Sequence, residues 1–288
     1  MKYASIAAGV FCLLSVCSVR GADAPFAPDG HTLFLAHFDQ GLPADTAAGK
    51  KEPLAGRVAI TPQGKFGGAY AATVDPASVL SYSAAGNINP TRGTVEFWYK
   101  PNFNLNSPQV PLSIYRLYVS TDDTKKEASG IGINYSSKEN YYQIWFYAWG
   151  EKRDPGCYGV DKVVDLKKGE WCHIAACWDE KRMSLFLNGR CLGTKERKGN
   201  MPFGDTFQLG GDPANAGYAD GFIDEFRISD EMRYQAADGT VKMEFPDNRG
   251  TGTVIGYGET AEKILFRVDT NCPARVTLRP QVFPVIAG

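Results

Sequence analysis

Glu170-Trp171-Cys172-His173-Ile174-Ala175-Ala176-Cys177-Trp178-Asp179, running on through Glu180-Lys181-Arg182 into Met183-Ser184-Leu185-Phe186-Leu187-Asn188-Gly189, decides the fold. The segment from Lys162 to Trp178 reads as a strand, the turn Lys167–Glu170, and a second strand. Asp179–Arg182 turns the chain into a third, Met183–Leu187. Asn188-Gly189 then supplies the two positive-φ residues of a type I′ hairpin, the strongest short-range hairpin signal. Three antiparallel ribbons in fewer than thirty residues, with no helical period, indicate an all-β protein.

The same grammar extends outward. Gly93-Thr94-Val95-Glu96-Phe97-Trp98-Tyr99-Lys100-Pro101 alternates cleanly, with Val95, Phe97 and Tyr99 on one face and Glu96, Trp98 and Lys100 on the other. Residues 31–38 form an apolar strand, 41–68 are rich in turn residues, and Val79–Tyr82 is a short strand. Residues 112–119 and 130–135 read as strands, the second turning through 136–140 into the aromatic run 141–149. Gly221-Phe222-Ile223-Asp224-Glu225-Phe226-Arg227-Ile228-Ser229 closes the series. Regularly spaced strands with turn residues between them predict a two-sheet antiparallel sandwich or jelly roll.

The phrases at 93–101, 170–189 and 221–229, in this order, resemble the laminin-G-like (concanavalin A-like, LamG) jelly-roll family. The resemblance covers residues 30–235 and implies two antiparallel sheets packed face to face, in a family that is mostly non-catalytic. After Tyr234 it stops. Residues 236–288 hold four strand-like runs (Thr240–Phe245, Thr253–Tyr257, Lys263–Val268 and Ala274–Leu278), read as a small β appendage or a partial second domain.

Residues 1–21 read as a secretory signal peptide: Met1-Lys2, an apolar run from Ala7 to Val16, then small residues up to Gly21. The run is too short for a transmembrane helix. Leu14-Ser15-Val16-Cys17 is similar to a lipoprotein box, but Val16 is bulky for the residue before a lipidated cysteine. Loss of Lys2 and Arg20 takes the formal charge from −1 to −3, so no strong field draws nucleic acid or an anionic membrane. Five cysteines then remain: Cys157, Cys172, Cys177, Cys191 and Cys272. Cys172 and Cys177 lie roughly 16 Å apart on opposite faces of one strand and cannot pair. Buried, apolar thiols are the expectation.

Three candidate sites stand out. Asp224 carries a carboxylate into an apolar strand, where simple alternation groups it with Phe222, Phe226 and Ile228. Such a group needs backbone N–H donors from a loop, or a metal. A structural Ca²⁺ site, with Asp39 as second ligand and Asp45 as a weaker third, is the sharper alternative; relatives of this type often bind such an ion. In Tyr141-Tyr142-Gln143-Ile144-Trp145-Phe146-Tyr147-Ala148-Trp149, one face is an ordinary core face. The other carries Tyr141, Trp145, Tyr147 and Trp149, flat rings suited to stacking on sugars. A covering loop or domain is the plain alternative. The third candidate is catalysis. Glu96 stands alone between Val95 and Phe97, Asp224 and Glu225 alternate to opposite faces, and His173 reads as a packing residue. No acid–base couple emerges.

The expectation is a secreted, non-catalytic carbohydrate-binding or adhesion module whose partner is a glycan or an extracellular or cell-surface protein. The rivals are a structural protein-interaction module and a polysaccharide-active hydrolase or lyase of the same fold.

Overall fold

In the computed structural model, the described residues are 24–103, 115–120, 128–136, 141–149, 158–164, 166–197, 204–212, 217–234, 241–244, 252–259, 264–270 and 275–278. Residues 1–21, expected to be a signal peptide, and Cys157 and Cys272 lie outside them. They divide into two compact units, one within 24–234 and one comprising the strands from 241 to 278.

The first unit is nearly all strand. In chain order come β1 (Thr32–Ala36), β2 (Thr46–Ala47), β3 (Ile60–Thr61), β4 (Ala69–Ala72), β5 (Leu80–Ser83) and β6 (Gly93–Pro101). Next are β7 (Tyr115–Ser120), β8 (Ala128–Ser136), β9 (Tyr141–Trp149) and β10 (Tyr158–Val163). The series ends with β11 (Cys172–Trp178), β12 (Arg182–Leu187), β13 (Arg190–Glu196), β14 (Thr206–Leu209), β15 (Gly211–Asp212), β16 (Gly217–Tyr218) and β17 (Gly221–Ser229). The hairpin between β12 and β13 turns on Asn188 (φ 49°) and Gly189 (φ 79°), as its sequence requires.

Two antiparallel sheets form the sandwich. One has nine strands along the path β13-β12-β11-β6-β17-β1-β2, with β4 also pairing β17 and β3 pairing β4. The other has six, in the order β10-β9-β8-β7-β14-β5. Between them lies one apolar core, which takes Val95, Phe97 and Tyr99 from β6, Ile174, Ala176 and Trp178 from β11, and Ile144 and Phe146 from β9. Each fully buried phenylalanine contributes about 1.5–3 kcal/mol by leaving water. Cys172 joins this core while Cys177 packs on the sheet's other face, so the two thiols are separated as alternation demands. Both are free, and burial pushes each pKa up to about 12.

Strand β17 departs from simple alternation. Its pairing with β6 is regular to Asp224↔Trp98, breaks, and resumes at Arg227↔Glu96. Glu225 sits at φ 53°, inside a β-bulge. The extra residue brings Ile223, Phe226 and Ile228 to the core together. The expected grouping of Asp224 with Phe222, Phe226 and Ile228 is therefore corrected: Phe222 and Asp224 belong to the outer face. The expected opposition of Asp224 and Glu225 is corrected too. Asp224 binds the 64–68 loop and Glu225 the 24–30 segment, and both coverings lie on that same outer face.

In the second unit, β18 (Val241–Glu244) pairs antiparallel with β21 (Arg275–Leu278), and β19 (Gly252–Glu259) with β20 (Ile264–Thr270).

Candidate functional site

The aromatic strand β9 is held in an unbroken ladder. It pairs with β8 from Tyr141↔Ser136 to Trp149↔Ala128, and with β10 from Gln143↔Val163 to Ala148↔Tyr158. Ile144 and Phe146 are in the core. Positions 141, 143, 145, 147 and 149 have the opposite parity, which is that of the sheet's outer face. Trp145 is half-buried there. The side chains of Tyr141, Tyr147 and Trp149 lie outside the described residues.

The neighbours of these positions were not anticipated from sequence. Trp145 stands opposite Asp161 on β10 and Gly132 on β8, and Gly132 stands opposite Arg116 on β7. One step along, Tyr147 stands opposite Gly159 and Gly130, Gly130 opposite Tyr118, and Tyr118 opposite Gln208. Along β8 this parity reads Ala128, Gly130, Gly132, Asn134, Ser136. Small residues in mid-strand let another molecule approach the backbone. Strands β7 and β9 are two spacings apart, roughly 10 Å, with the small positions of β8, among them the buried Gly130, between an aromatic strand and the strand of Arg116 and Tyr118.

The two carboxylates offered to calcium serve a loop instead. Asp224 Oδ2 accepts the N–H groups of Lys65 (2.7 Å) and Phe66 (3.0 Å), and Oδ1 accepts that of Glu225 (2.7 Å). Asp39 Oδ1 accepts the N–H of Gly68 at 2.6 Å. Asp45 Oδ2 accepts the N–H of His37 at 2.8 Å. Gly67, at φ 88°, packs so closely on Asp39 that a Cβ would sit 2.3 Å from Oδ1; only glycine fits. Burial raises the Asp224 pKa to about 7 against the opposing pull of these N–H bonds. Among the described residues no three His, Cys, Asp or Glu side chains converge to hold a metal ion. This donor set suits backbone N–H groups and does not fit calcium, which prefers six to eight oxygen ligands.

Glu96 is not alone. It is fully buried on the outer face of the nine-stranded sheet, and five polar groups meet there. Arg227 approaches Oε1 at 2.7 Å and Arg233 at 3.8 Å. Oε2 accepts the Tyr234 hydroxyl at 2.6 Å and meets His173 Nε2 at 3.1 Å. Arg233 also forks onto Asp29 (2.7 and 2.8 Å), and Arg227 lies over the Phe26 ring at 4.2 Å. Glu225 completes the clasp, accepting the Phe26 N–H at 2.6 Å while Oε1 meets His37 Nδ1 at 2.8 Å.

The electrostatics argue against a general base. Burial would raise the Glu96 pKa, but Arg227, His173 and Tyr234 outweigh it and bring it down to about 2. Burial and the Glu96 charge hold the Tyr234 hydroxyl well above its usual range. A carboxylate held this low and a phenol held this high are poor proton acceptors near neutrality. The sequence clue to this cluster is an acidic residue on the face of β6 opposite the core, where a histidine, two arginines and a tyrosine later return.

A search of curated protein sequences finds no match. Among solved structures, the fold resembles domain 4 of AbnA, a GH43 extracellular arabinanase from Geobacillus stearothermophilus solved with arabinotriose. That match has a TM-score of 0.53 at 19% identity, over 70% of this chain and 93% of that one. It also resembles the receptor-binding domain of botulinum neurotoxin type G (TM-score 0.54, 13% identity, 70% of this chain) and the binding domain of serotype D (0.51, 12%, 70%). The matched region spans 48% of each neurotoxin domain. The family model described as the concanavalin A-like lectin/glucanases superfamily, of the laminin-G type, matches residues 72–237, and the chain belongs to that superfamily.

Proposed function

We propose that the protein is a secreted, non-catalytic carbohydrate-binding module that takes a glycan on the outer face of its six-stranded sheet. One observation carries this reading: the aromatic positions of β9 flank a floor of small residues on β8, with Arg116 and Tyr118 across it. Pyranose rings present C–H faces to aromatic rings and hydroxyls to the amide and hydroxyl groups beside them. Asn134, Gln143 and Gln208 are at positions of that parity. The solved neighbours include an arabinanase domain bound to arabinotriose and neurotoxin receptor-binding domains, which is consistent with a binding role.

A glycan array with the mature protein tests the reading, followed by titration of Trp145→Ala against the best ligand. The expected result is at least a tenfold loss of affinity, about 1.4 kcal/mol, with folding intact. Undiminished binding by the folded variant removes this face as the site. If no glycan binds and the variant instead loses a protein partner, the interaction-module reading takes its place.

A further inference from the structure

The outer face of the nine-stranded sheet carries a second aromatic arrangement, distinct from the one beside β8, and this one is built around cations. Lys100 Nζ lies 4.8 Å from the centre of the Trp171 ring and 4.7 Å from that of Phe222, so one ammonium is held between two rings. Its third contact is the Gln63 carbonyl at 3.4 Å. Phe222 and Lys100 are partners across β17 and β6, and the next outward pair is Asp224↔Trp98. Over Trp98 sits Lys65 Nζ, 4.4 Å from that ring and 5.4 Å from Phe66. Lys65, Phe66, Lys100, Trp171 and Phe222 are each half-buried, so stems and ring faces are packed while their edges reach water. Asp224, the nearest carboxylate in register, is fully buried and bonded to backbone N–H groups.

An ammonium between rings loses part of its water and has little rotamer freedom left to surrender on binding. A fixed cation bordered by exposed ring edges matches a ligand that is both ring-shaped and anionic. A free phosphate would use only the lysines. Nucleic acid would need a far broader positive field than a chain of mature charge −3 provides. We propose that Lys65, Lys100, Trp171 and Phe222 form a subsite for acidic sugar residues of the uronate type. The carboxylate sits on the ammonium groups and the sugar ring packs against the exposed ring edges.

The mature full chain is run in affinity gels containing polygalacturonate, or the same polymer fully methyl-esterified, which keeps the rings and removes the charge. Retardation is expected with polygalacturonate alone and is expected to vanish at about 0.5 M salt, where charges are screened beyond a few ångströms. Lys65→Gln with Lys100→Gln should weaken binding about tenfold or more; Lys65→Arg with Lys100→Arg should retain it. If Lys100→Gln perturbs folding, Lys65→Gln alone, in the loop, should still lower affinity measurably. Loss of polygalacturonate binding in the lysine variants, with the affinity for the best array glycan retained, separates this subsite from the face proposed above. The proposal is overturned by equal retardation in both polymers, by folded lysine variants that bind unchanged, or by single-stranded DNA retarding the protein as strongly as polygalacturonate does.

Discussion

The two sheets of the sandwich share one core but treat their outer faces in opposite ways. The nine-stranded sheet covers its centre with residues 24–30 and 230–234, and closes the space with charge: Glu96 among two arginines, a histidine and a tyrosine. The six-stranded sheet has Ser81, Ser83, Thr206 and Gln208 half-buried along β5 and β14, glycines along β8, and the charged positions Arg116 and Asp161 in register with Gly132 and Trp145. A face filled by a satisfied ionic network is committed to stability, because each member is costly to remove. A face with small residues in mid-strand spends less on internal ionic contacts and leaves room for another backbone to come close.

Breaking the closed face should have the largest effect. Glu96→Ala strands Arg227 without its counter-charge and takes the acceptor from the Tyr234 hydroxyl, and should destabilise the fold by about 3–5 kcal/mol, read as a fall in the denaturant midpoint. A near-parental midpoint would mean that Arg227 and Tyr234 find other partners. Asp224→Ala should cost about 1–3 kcal/mol, since the N–H groups of Lys65 and Phe66 lose their acceptor while partly buried. Limited proteolysis should then cut first within 63–68.

Acid should distinguish the faces as well. The Glu96 pKa is about 2 in the fold against 4.5 for the free side chain, so its stabilisation is complete above 4.5 and is lost as pH falls toward 2. Asp29, held below its usual range by Arg233, acts in the same direction. His37 acts in the other: its pKa is raised by Glu225, so its contribution is full below 6.5 and fades as pH climbs through the raised value. Unfolding curves from pH 6 down to 2 should show a steep loss that is blunted in Glu96→Gln. A parallel loss in the variant would assign the acid sensitivity elsewhere.

The smallest effect is expected from metal removal. With the Asp39 and Asp224 oxygens engaged by N–H groups, EDTA and added Ca²⁺ should both leave the melting temperature unchanged. A rise of several degrees on calcium addition would mean that the 64–68 loop rearranges to admit the ion.

How much of this was legible depends on how local each signal is. The faces of β6, the Asn188-Gly189 turn and the separation of Cys172 from Cys177 follow from period-two alternation and turn chemistry within a few residues, and the structure reproduces them. The bulge in β17 left no such mark, because a glutamate rather than a glycine takes the positive φ, supported by bonds to His37 and Phe26. From that single extra residue came the misassigned faces of Phe222 and Asp224. The Glu96 cluster was hidden by distance: its bonds join residues 77, 131 and 138 positions apart. The placing of the small β8 positions between β7 and β9 needed register across three strands, which alternation in any one of them cannot supply.

Strand β17 fills the gap between β6 on one side and β1 and β4 on the other. The early ribbons therefore wait for a partner that leaves the ribosome some two hundred residues after β1. With so much of its pairing non-local, the sandwich assembles late and slowly. A chain truncated before Gly221 has two raw sheet edges and invites association with its own kind.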